Sequence, residues 1–129
     1  MPLKFIRKAY FKIKLALNRA AIVASINSIL AFTEDALEAT EPAAKTGYFS
    51  DGEADGMLNE IDRRLRNLKL RMGQLKVSID GGRPESGYAL MQIADGELEE
   101  CDRIYSGLRK ITDESDPLIL RLGRMFAGN

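Results

Sequence analysis

Leu58, Ile61, Leu65, Leu68, Met72, Leu75 and Ile79 recur at alternating spacings of three and four residues, a heptad seam that no β-strand can present. Winding the chain as an α-helix gathers all seven on one side, so this region must be a long helix whose seam packs on a helical neighbour. Its start is marked by Ser50 and by Glu53 three residues later, which together read as a capping box. Its end is marked by Asp80-Gly81-Gly82-Arg83-Pro84, where glycines suit a helix stop and the proline suits the first turn of the next helix.

That neighbour is expected over about Pro84 to Thr112, burying Leu90, Ile93, Ala94, Leu98, Cys101, Ile104, Tyr105, Leu108 and Ile111, with Asp95-Gly96 and Gly107 as places where it could break or kink. Asp116-Pro117 then reads as cap and first residue of a short last helix carrying Leu118, Leu122, Met125 and Phe126 and ending at Gly128.

A heptad seam also suits a self-paired coiled coil, and the flanking charges decide between the two arrangements. With Leu58 at position a, the e and g positions hold Arg64, Lys69, Arg71 and Lys76, so a parallel self-pair opposes cation to cation. An antiparallel hairpin instead brings this basic rim near Glu97, Glu99, Glu100 and Asp102. The hairpin is the expected arrangement.

From Leu3 to about Thr40 there is neither glycine nor proline, which predicts one long N-terminal helix. Its first half is amphipathic, with Ile6, Tyr10, Ile13 and Leu17 opposite Lys4, Arg7, Lys8, Lys12 and Arg19. In the second half Ile22, Val23, Ile26, Ile29 and Leu30 move to the side that was basic, while Ala20, Ala24, Ala31 and Ser28 continue the former apolar side. Both sides of Ala20 to Phe32 are therefore expected to avoid water, and the hairpin alone is not expected to cover both. The uncharged run from Ala20 to Thr33 falls short of the about 20 apolar residues that span a bilayer. The basic first half with Phe11 and Leu15 among its lysines fits an interfacial membrane contact as an alternative. Cleavage of this segment as a targeting signal is not expected, because nineteen residues precede the uncharged run.

Chemistry is constrained mostly by what the composition lacks. The 129 residues include no histidine and no tryptophan, which removes the commonest neutral-pH acid–base group and metal ligand. Cys101 is the single cysteine, so no intrachain disulfide forms and a reducing compartment is the simpler reading. Its neighbours Glu99 and Glu100 disfavour a thiolate, so it reads as a packed small hydrophobe. Asp51-Gly52-Glu53-Ala54-Asp55-Gly56 with Asp62 imitates a calcium loop, but a long Glu stands third, an Asp stands twelfth, and Pro42 and Gly47 interrupt the expected preceding helix. No phosphate-binding glycine loop, dinucleotide fingerprint or nucleophile elbow occurs. Net charge is zero and nucleic-acid signatures are missing, so a nucleic acid is not the expected partner.

The sequence thus predicts one all-α domain over residues 1–129: a long N-terminal helix over 1–40, a loop over 41–50, an antiparallel helical hairpin over 51–112 and a short helix over 116–127. The expected role is a non-enzymatic structural, assembly or protein-interaction subunit without cofactor or metal. It would act as a homo-oligomer or within a larger assembly such as a viral or bacterial particle, through Ile22, Val23, Ile26, Ile29, Leu30 and Phe32. A peripheral membrane protein held by Lys4, Arg7, Lys8, Phe11, Lys12 and Leu15 is the alternative, and a small helical inhibitor or regulatory binder the third reading. The expected location is the cytoplasm or an assembled particle, or a membrane surface under the alternative.

Overall fold

The computed structural model describes the backbone of residues 19–80 and 84–126 and the side chains of residues 22–80 and 91–126. Four helices follow in order: α1 (Arg19–Thr46), α2 (Gly52–Asp80), α3 (Pro84–Ile111) and α4 (Pro117–Phe126). The all-α expectation holds. The seven seam residues of α2 are all buried, Leu58 through Leu75 completely, and they form the middle of one hydrophobic core. Helix α2 packs along both α3 and α1, whereas α1 and α3 make no close backbone approach to each other. Helix α4 touches both of them and closes the wedge between them.

Aromatic packing shows how α4 fills that wedge. Phe126 meets the ring of Phe32 on α1 edge-on at 5.6 Å and lies against Tyr105 on α3 at 5.8 Å. The Tyr105 hydroxyl donates to the Ile119 carbonyl at 3.2 Å, which satisfies a polar group that burial would otherwise penalise. Asp116 caps α4 as its position before Pro117 predicts, with Oδ1 accepting from the amides of Leu118 at 2.8 Å and Ile119 at 3.3 Å. The Tyr48 hydroxyl donates to the same carboxylate at 2.9 Å and ties the α1–α2 connection to this cap.

Several sequence expectations are corrected. Helix α1 does not stop near Thr40 but runs through Pro42 to Thr46, so the loop expected over 41–50 shrinks to Gly47–Asp51. Pro42 lies on the exposed side and its missing N–H affects one bond near the helix end. Meanwhile Ala36, Ala39, Thr40 and Ala43 stay buried along the inner side, and that packing carries the helix past the proline. Gly47, at φ 64°, ends it, with the Tyr48 amide donating back to the Ala43 carbonyl at 3.0 Å. The cap of α2 is Asp51 rather than Ser50: its Oδ1 accepts from the Glu53 amide at 3.2 Å. Helix α3 runs unbroken through Gly96 and Gly107. Ile93 and Ile111, expected in its core, are exposed because α3 turns those positions away from α2. Leu90 and Gly128 fall among positions whose side chains or backbone lie outside the described residues.

The expectation for Ala20 to Phe32 also changes. Ile22, Ile26, Ile29 and Phe32 are buried within the chain, and Val23 and Leu30 pack partly buried against the same core. The outward side of this stretch carries Ala24, Asn27 and Ala31, small or polar residues that tolerate water. A second greasy side that needs an outside cover is absent among these residues, so their burial no longer argues for a partner on α1. Lys4, Arg7, Lys8, Phe11, Lys12 and Leu15 lie outside the described residues.

Candidate docking surface

Three sides of α2 are occupied by the fold. The seam side is buried. Toward α3, Arg64 bonds Glu97 at 3.2 Å while its Nε holds Glu60 at 2.9 Å. Toward α1, Lys69 lies 4.0 Å from Glu34 and Lys76 donates to Asn27 at 3.5 Å. The expected basic rim is therefore divided between two neighbours instead of facing α3 alone, because α2 lies between α1 and α3.

Deeper on the α1 side, the buried Asp62 accepts from the Thr40 hydroxyl at 2.9 Å and pairs with Arg66 at 2.9 Å. A carboxylate this buried is costly unless bonded, and these two partners supply the bonds. Asp62 thereby serves as an inter-helix tie and not as the last ligand of a calcium loop. Residues from Gly52 onward are helical, so the loop geometry such a site requires does not form. Cys101 is fully buried, and burial first, then the nearby Glu97, push its thiol up to about 12. That keeps it protonated and unsuited to nucleophilic work near neutrality. The Arg63 hydrogen bond holds the Glu60 carboxyl below its usual range, which marks a surface ion pair rather than a proton-transfer group.

The fourth side of α2 faces away from the core. Here Arg66, Lys69, Leu70, Gly73, Gln74 and Val77 line, among the described residues, a shallow, open depression. Leu70 is 60% exposed and Val77 71% exposed, two helical turns apart on a helix whose remaining large aliphatics are buried. In the heptad both occupy position f, directly opposite the seam, where a solvated helix normally carries polar residues. Aliphatics at two successive f positions are the sequence signal that marks this face. The seam and its e and g rim lie on the other sides of the helix and give no sign of it.

Compared with protein-family models, curated proteins and solved structures, the chain matches none. Among the described residues no helix is long and apolar enough to cross a membrane.

Proposed function

We propose that this chain is a non-enzymatic helical interaction subunit that docks another protein through the outward face of α2. The observation that carries the reading is the pairing of exposed Leu70 and Val77 on one face of α2, beside Arg66 and Lys69. Large aliphatics exposed at successive positions on one helix face, flanked by charge, are a feature of contact surfaces. The contact thus moves from α1, where the sequence alone put it, to α2. Arg63 and Arg66 beside this strip are already paired with Glu60 and Asp62 of the same helix, so the contact we propose is chiefly apolar.

The test is the native size of the tagged full chain in extract of the cells that produce it, beside a Leu70→Gln/Val77→Gln double variant. The wild type should run in a complex well above its own 14.3 kDa, and the variant should run as the free chain. If both run as free chains, or both stay in the same complex, the docking role of this face is wrong.

A further inference from the structure

Among the described elements, α4 alone joins α1 to α3: it approaches both, while those two do not approach each other and α4 does not approach α2. Lifting α4 away would leave the α1–α2 and α2–α3 pairings whole and bare the rings of Phe32 and Tyr105, against which Phe126 packs. The hinge for such a movement is in place. Between α3 and α4 the chain makes a turn bonded within itself: Asp113 Oδ1 accepts from the Ser115 amide at 2.9 Å and from its hydroxyl at 2.8 Å, and the Asp116 amide donates to the Asp113 carbonyl at 3.1 Å. None of these bonds has to break when α4 leaves the wedge.

What resists release is the apolar side of α4 and a small set of polar ties. Arg121 lies 3.5 Å from Asp35 on α1 with both side chains partly exposed, a pair that contributes little. Tyr48 is different. Its hydroxyl lies 2.9 and 3.0 Å from the two oxygens of Asp116, the carboxylate that caps α4, and donates to it from sixty-eight positions earlier in the chain. The short α1–α2 connection holds Tyr48 in place, through its amide bonded back to Ala43 and through the edge-on ring of Phe49 at 5.0 Å, itself packed on the core. Partial desolvation, and then Asp116 itself, push the hydroxyl above its usual range, so it keeps the proton that it donates. The bond nevertheless lies at the surface, with Tyr48 44% exposed, and can break without opening the core. We propose that α4 is a latched strap: it lifts from the wedge as one unit while α1, α2 and α3 stay folded, and the Tyr48–Asp116 bond is the latch through which the α1–α2 connection sets how often the wedge opens.

Amide hydrogen exchange of the full chain, read by mass spectrometry and corrected for intrinsic rates, tests this. In the wild type the amides of α4 should exchange at least about thirtyfold faster than those in the middle of α2. Tyr48→Phe removes the latch but leaves the Asp116 cap, and should speed α4 by about threefold. Leu75→Val trims the buried core of α2, which α4 does not approach, and should speed α2 by about fivefold while leaving α4 within about 1.5-fold. The reason for the contrast is that Leu75→Val weakens the fold as a whole without touching the docking of α4. Equal protection of α4 and α2 in the wild type, or an α4 that Leu75→Val speeds as much as it speeds α2, means that α4 leaves only when the whole chain unfolds, and overturns the strap. An α4 unchanged by Tyr48→Phe overturns the latch.

Discussion

Gly123 and Gly96 both sit inside helices, and the difference between them is a matter of what surrounds each. Gly123 lets α4 settle against Tyr105, whose hydroxyl would lie 2.7 Å from an added Cβ while it is bonded to the Ile119 carbonyl. Gly123→Ala should therefore lower stability by about 1–3 kcal/mol despite alanine's better helix propensity. Gly96→Ala, in open space, should raise it by about 1 kcal/mol. Urea denaturation of the two variants checks the sign of each. Sequence shows that these glycines weaken a helix but not which are packed, because that depends on a tyrosine from another element. Asp62 illustrates the same limit. Its spacing from Asp51 suggested a metal loop, whereas the buried Thr40 hydroxyl, twenty-two positions earlier in the chain, is what it holds.

Among the elements, α4 depends most on its surroundings. Ten residues are too few for a stable isolated helix, so its existence rests on the Asp116 cap and on the apolar side set into the wedge. Phe126→Ala removes the ring that touches both Phe32 and Tyr105 and should cost about 3–5 kcal/mol in chemical denaturation. Asp116→Ala, which removes the cap and the Tyr48 bond, should cost about 1 kcal/mol. Nearly all of α4 is legible in sequence, because the Asp-Pro start and the spacing of Leu118, Leu122, Met125 and Phe126 are local signals. The end of α1 is not. Pro42 reads locally as a stop, and only the burial of Ala39, Thr40 and Ala43 against other elements carries the helix on to Thr46.

At the scale of the whole molecule, α2 organises everything else. It packs on α1 and on α3, which barely approach one another, and α4 fills the gap that this leaves. The heptad seam made that central helix legible, and its basic rim anticipated that the acid-bearing helix after it would fold back on it. What sequence misjudged was which surface remains uncovered. The stretch from Ile22 to Phe32 looked too apolar for its own chain, yet its outward positions are Ala24, Asn27 and Ala31, and the rest is absorbed by the core. Among the described residues the two most exposed large apolar side chains are instead Leu70 and Val77, on the back of the helix whose front is buried in the core. If that back is held for a partner, it contributes nothing to the fold. The most direct measurement is equilibrium urea unfolding of the purified chain beside Leu70→Gln/Val77→Gln: the two should agree within about 0.5 kcal/mol, as surface substitutions do. A loss of about 2 kcal/mol or more in the variant would mean that the chain itself covers this face, and would contradict its assignment to a partner.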